Sequence, residues 1–172
     1  MPRPDLLARL TGGDRRSIGR ADSLAALVSE SPSLFPQLIA GLRSTDPLIR
    51  MRAADAAEKV SRGDPALLQP HKHELLNLMA ETEEQELRWH LAAMVPRLRL
   101  NAAERRRAAS SLKSYVQAQR SIVKAYALQG LAELALNDAA IRATTIALLR
   151  KAIRNGTPAM KARSRKLLPR LE

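Results

Sequence analysis

Cations crowd the second half of this chain densely enough to hold a polyanion. Arg97, Arg99, Arg105, Arg106, Arg107 and Lys113 follow one another closely, Arg150, Lys151 and Arg154 form a second group, and Lys161, Arg163, Arg165, Lys166 and Arg170 a third. Guanidinium and ammonium groups in such clusters bind carboxylates or phosphates, arginine in bidentate fashion. Residues 1–86 hold 11 Lys/Arg against 13 Asp/Glu, and residues 87–172 hold 18 against 4, which places the whole net charge of +12 in the second half. So lopsided a field favours an acidic partner there: nucleic acid, an acidic protein or an anionic surface. The competing expectation is a set of solvated helix faces, with Arg150, Lys151 and Arg154 complementing the dipole at a helix C-terminus.

Other chemistry-bearing residues are few. His71, His73 and His90 are the only histidines. Residues two apart on a helix point about 200° away from each other, so His71 and His73 do not share an ion readily. The HExxH spacing is absent, and so are a Gly-rich phosphate loop, a nucleophile elbow and any Ser/His/Asp set. Cysteine is missing altogether, which removes disulfides, thiolate metal sites and Cys nucleophiles. Trp89, beside Arg88 and His90, is either packing or a binding anchor. The run Glu81-Thr82-Glu83-Glu84 suits a helix start, and could alternatively meet the basic half of a second copy. These residues point to a binding protein with no catalytic, cofactor or metal site and no small-molecule substrate.

The elements that position them follow a repeat. A ladder of small and apolar residues recurs five times at offsets 0, 4, 7, 8 and 11, beginning at Ser17, Ile49, Leu87, Val123 and Met160. The second ladder, for example, reads Ile49-Ala53-Ala56-Ala57-Val60, and successive heads lie 32, 38, 36 and 37 residues apart. Those offsets trace one face of an α-helix, and their recurrence at such a period is the mark of a solenoid. Between the ladders lie other helices, such as Leu34 to Arg43 with Phe35, Leu38, Ile39 and Leu42 on one face. Only 2% of residues are aromatic and none of the segments alternates like a strand, so the chain is expected to be all α.

Punctuation supports the same reading. Asp46-Pro47, Asn101, Asp138 and Thr157-Pro158 are expected helix starts, with the oxygen-bearing side chain as cap and proline in the first turn. Pro96 is expected to stop or kink the third ladder helix. Leu6, Leu7 and Leu10 are expected to form a brief first helix before a turn at Gly12-Gly13-Asp14. No run approaches the roughly 18 apolar residues of a membrane span. A soluble cytoplasmic protein is expected, with no membrane partner.

The stretch Asp46-Pro47-Leu48-Ile49-Arg50-Met51-Arg52-Ala53-Ala54-Asp55-Ala56-Ala57 resembles the signature of HEAT-like repeats, and Leu87-Arg88, Val123-Lys124 and Met160-Lys161 repeat its aliphatic–basic pair. The resemblance implies a right-handed α-solenoid of about five helix-turn-helix repeats filling residues 1–172 as one domain, in units of approximately 1–30, 31–62, 63–99, 100–136 and 137–172. It also implies an interaction scaffold, most naturally protein-binding. More distant similarity connects it to phycobilin-lyase-like HEAT proteins and to DNA alkylation-repair glycosylases, which cradle DNA on a basic concave face; no catalytic set of theirs maps onto this chain. If the ladder helices line the inner curve, Arg88, Trp89, Arg97, Arg99, Arg105, Arg106, Lys124, Lys161, Arg163, Arg165, Lys166 and Arg170 form the candidate binding surface, for an acidic protein or for nucleic acid through its phosphate backbone.

Overall fold

A computed structural model describes residues 5–12 and 21–172, and every regular element among them is helical. The head of the first ladder, Ser17, and the Gly13-Asp14 part of the first turn lie outside the described residues. The chain divides into two compact units, Met1–His71 and Lys72–Glu172, the boundary falling within the stretch 63–99 expected as one repeat. Among the described residues no helix is long and apolar enough to cross a membrane.

The first unit is organised around one long helix. Its elements are a 3-10 turn Leu7–Leu10, helix α1 Ala21–Glu30, a 3-10 turn Pro32–Leu34, α2 Phe35–Gly41, α3 Pro47–Gly63 and a 3-10 segment Pro65–His71. The brief first helix expected from Leu6, Leu7 and Leu10 is thus a single tight turn. Asp46 starts α3 as anticipated: its Oδ1 accepts from the Leu48 amide at 2.8 Å, with Pro47 in the first turn where no donor is lost. α3 then packs against α1, α2 and the turns that flank them. Its ladder residues Ala53, Ala56, Ala57 and Val60 are buried, and Ile49 is half-buried. Small side chains permit this closeness. A Cβ on Gly41 would stand 2.7 Å from the Ala53 Cβ and 2.8 Å from Leu7 Cδ2, so α2 and α3 meet at a distance only glycine allows.

α3 also carries a buried charge. Arg52 is 1% exposed, and its Nη1 donates to the Leu10 carbonyl at 2.5 Å and to the Gly12 carbonyl. The guanidinium thereby satisfies carbonyls at the end of the first 3-10 turn, which a buried chain end cannot leave unpaired. Nearer the surface, Lys59 bonds Asp22 of α1 and Asp55 one turn back. Partial burial opposes the ammonium charge, but the two carboxylates outweigh it and hold the Lys59 pKa above its ordinary value.

The second unit contains six helices among the described residues: α4 Lys72–Glu81, α5 Gln85–Met94, α6 Ala102–Tyr115, α7 Ser121–Ala135, α8 Ala139–Asn155 and α9 Pro158–Leu167. The starts follow the sequence. Asn101 and Glu104 form a capping box on α6, Asp138 Oδ1 accepts from the Ala140 amide, and Thr157 Oγ1 from the Met160 amide. The α-helical part of the third ladder ends at Met94, and Val95–Arg97 continues as a 3-10 turn around Pro96. The last ladder behaves likewise: α9 ends at Leu167 and Pro169 lies in a 3-10 turn Leu168–Arg170. In both places proline lacks the N–H that the next helical bond requires.

α7 is the centre of this unit, packed against α5, α6, α8 and α9. Its ladder residues Val123, Ala127, Leu131 and Leu134 are buried, each larger one contributing about 1.5–3 kcal/mol. Gly130 completes the stripe. A Cβ there would lie 2.9 Å from the Ala92 carbonyl oxygen of α5 and 3.1 Å from Leu112 of α6. At this position both α5 and α6 approach α7 too closely for a Cβ to be added without a shift.

Candidate interaction surface

Helices α5, α7 and α9 lie side by side in the second unit and run in the same direction. At their starts Arg120 Nη1 donates to Glu86 Oε1 at 2.6 Å, and the hydroxyls of Ser121 and Thr157 are 2.5 Å apart. About one turn further on, Trp89 of α5 meets Tyr126 of α7 with ring centroids 5.1 Å apart. Arg163 of α9 reaches back to α7, its guanidinium 4.6 Å from the Tyr126 ring centroid and its Nη1 donating to Gln129 Oε1 at 3.2 Å. Trp89, Tyr126 and Arg163 thus form a row across three helices. Trp89 is half-buried and also stacks on His90, with centroids 3.5 Å apart. The His90 ring is fixed in turn by its Nδ1–H donating to the Glu86 carbonyl at 2.6 Å.

A groove of about 720 Å³ opens beside this row between α7 and α9. Its lining includes Ala125, Ala159 and Ala162, with Ile122 and Tyr126 on one side and Arg163 and Lys166 on the other. Ile122 is 43% exposed, unusual for a large aliphatic side chain in this protein.

The remaining sequence candidates separate into engaged and open cations. Arg88 is only 14% exposed: it pairs with Glu83 at 2.8 Å, donates to the Thr82 carbonyl, and lies 4.9 Å from the Tyr115 ring centroid. Tyr115 is itself buried, with its hydroxyl donating to the Met79 carbonyl at 2.5 Å, and burial pushes its pKa well above the ordinary 10.0. Arg88 therefore braces the helix pair instead of facing outward. Arg105 of α6 pairs with Asp138 at 3.0 Å and donates to the Leu100 carbonyl. This guanidinium, together with the Ala140 amide, holds the Asp138 carboxyl below the usual carboxylate range. Arg97 is half-buried and Arg99 exposed, both engaged within the protein.

Arg106, Lys124, Lys161, Arg165, Lys166 and Arg170 make no side-chain hydrogen bond or ion pair among the described residues. Of these, Lys166 lines the α7–α9 groove. Lys124 lines a different, smaller cavity of about 180 Å³, together with Lys151, Asn155 and Thr157. The open cations thus do not all converge on one site. Among the described residues no group of three or more His, Cys, Asp or Glu is placed to hold a metal ion.

Tyr126, Gln129 and Ile122 belong to this surface without having been singled out from sequence. One signal was present: Tyr126 and Arg163 each fall three residues after a ladder head, Val123 and Met160. Equal positions on neighbouring ladder helices become lateral neighbours, so reading across the repeats finds the pair. Ile122 carries no such signal, because only packing tells an exposed aliphatic residue from a buried one.

No protein-family model matches the chain, and no curated protein matches it either.

Proposed function

We propose that this chain is a non-enzymatic HEAT-like scaffold, an α-solenoid of about five right-handed helix-turn-helix repeats, whose ladder-helix face takes a protein partner. One observation carries the reading: side-chain contacts within the second unit recur at about the repeat length. Glu86 and Arg120 are 34 residues apart, Met79 and Tyr115 36, Ser121 and Thr157 36, and Gln129 and Arg163 34. A chain whose unit n touches unit n+1 at equivalent positions is what a solenoid requires, and solenoids present extended lateral surfaces for binding. The groove, its exposed Ile122 and the Trp89–Tyr126–Arg163 row have the mixture of apolar, aromatic and arginine side chains that protein interfaces favour.

A second reading rests on the open cations. Besides the six candidates, Lys113, Lys151 and Arg154 also lack a side-chain partner among the described residues. Such a set suits phosphate-backbone contacts, with binding that falls steeply as salt rises. Photo-crosslinkers at the exposed Arg120 and Arg165 decide between the two. Protein adducts that resist nuclease support the scaffold. Adducts removed by nuclease reject it in favour of nucleic acid, and turnover of a small substrate without any adduct rejects both.

A further inference from the structure

The α7–α9 groove combines features that select one kind of occupant. Its lining is concave because Ala125, Ala159 and Ala162 have no atoms beyond Cβ, and its volume of about 720 Å³ admits large side chains of a ligand. Ile122 and Tyr126 supply an apolar wall. On the other side stand two cations. Lys166 has no side-chain partner among the described residues. Arg163 is held in place, but by neutral groups: the Gln129 amide oxygen at 3.2 Å and the Tyr126 ring. The nearby carboxylate of Glu133 is bound to the other end of that amide, Gln129 Nε2, at 2.6 Å. Arg163 is thus oriented in advance while its charge lacks a direct carboxylate, the state in which an added carboxylate gains most.

We propose that this groove receives a linear acidic peptide segment, an aliphatic or aromatic anchor seated on the alanines against Ile122 and Tyr126, with flanking carboxylates on Arg163 and Lys166. The assignment rests on the scaffold reading above and narrows it to one site and one ligand chemistry. The charge complementarity is local in Arg163 and Lys166 of the lining, and general in that residues 87–172 carry 18 basic against 4 acidic residues. Nucleic acid fits the groove less well. Arg163 occupies one face of Tyr126 and His90 one face of Trp89, so neither ring offers both faces to stacked bases. An alanine floor, moreover, rewards an apolar side chain and offers a phosphate nothing.

Trp89 is the only tryptophan in the chain and touches the groove wall through Tyr126, so it reports occupancy. The probe is a fluorescein-labelled, Trp-free peptide in which Asp and Glu flank a Leu-Phe pair, followed by anisotropy and by Trp89 emission at low and moderate salt. Saturable binding is expected. It should weaken about tenfold in Lys166→Glu and in Ala162→Phe, which fills the groove from an exposed position. It should weaken similarly when Leu-Phe is replaced by Ser-Ser. Unchanged melting temperatures in both variants separate loss of the site from loss of the fold. Absence of binding, equal binding to wild type and both variants, or equal binding of the Ser-Ser peptide overturns the proposal. So does an oligonucleotide that binds with the same sensitivity to both substitutions. If the peptide fails while nuclease-resistant protein adducts persist at Arg120 or Arg165, the groove assignment falls and the scaffold stands; if both fail, the scaffold falls too.

Discussion

Arg163 on α9 and Tyr126 on α7 are joined face-on, the guanidinium carbon 4.6 Å from the ring centroid, in positions that are equivalent on the two ladder helices. The contact links neighbouring helices without burying a charge completely, since both residues are half-buried. It also extends to α5, because the same ring meets Trp89. A single substitution at Tyr126 therefore disturbs three helices at once.

For this pair a double-mutant cycle is the direct measurement. Arg163→Gln and Tyr126→Leu, alone and together, should give a coupling energy of about 0.5–1 kcal/mol in urea unfolding, the range of a partly exposed cation–π contact. Additive single effects would mean that the two groups merely share a neighbourhood.

Gly130 yields a prediction with competing terms. Replacing a helical glycine by alanine gains roughly 1 kcal/mol of helix propensity. Here the new Cβ would stand 2.9 Å from the Ala92 backbone oxygen, and a carbonyl in a packed helix cannot swing aside as a long side chain does. Overpacking costs about 1–3 kcal/mol and should win, so Gly130→Ala is expected to lower the melting temperature. A rise would show that α5 and α7 separate easily.

The helices and their starts were legible because their determinants are local. Asp46, Asn101, Asp138 and Thr157 each cap the helix they precede, since capping needs only an oxygen two or three residues before the amide it accepts from. The ladder stripe was legible for the same reason of fixed spacing. The fate of individual cations was not. Arg88 and Lys124 hold the same place after their ladder heads, yet Arg88 is spent on Glu83 and Tyr115 while Lys124 has no partner among the described residues. That difference depends on what precedes each helix, Glu83 five residues before Arg88 but Gln119 five before Lys124, and on the Tyr115 ring that α6 supplies, none of which the ladder spacing contains. The α7–α9 groove was illegible likewise, because its lining alternates between two helices.

Acid should weaken the second unit in a defined window. Arg105 holds the Asp138 carboxyl below its ordinary 3.8, and Lys72 with the Asn101 amide holds Glu104 below its ordinary 4.5. A carboxyl whose pKa is lower folded than unfolded stabilises the fold above the unfolded value, and that stability is lost as pH falls through the folded value. Melting temperature should therefore decline as pH drops from about 5 towards 3. Asp138→Asn keeps a good cap but removes the charge facing Arg105, so it should be less stable near neutrality and show a shallower acid decline. Parallel profiles for wild type and variant would remove Asp138 from the account.

Arg52 tests the first unit. Its guanidinium is the donor for carbonyls of Leu10 and Gly12, and its 1% exposure means that water cannot replace it without rearrangement. Arg52→Met preserves much of the volume and stem packing while removing the donors. Loss of a buried donor leaves its acceptors desolvated and unpaired, at a cost of about 1–3 kcal/mol. The cost should be concentrated at the turn Leu7–Leu10, whose carbonyl end the arginine holds, because α3 keeps its own capped start at Asp46. Hydrogen exchange should accordingly quicken at Arg9 and Leu10 far more than along α3. Uniform quickening through α3 would place Arg52 instead among the residues that hold the whole unit together.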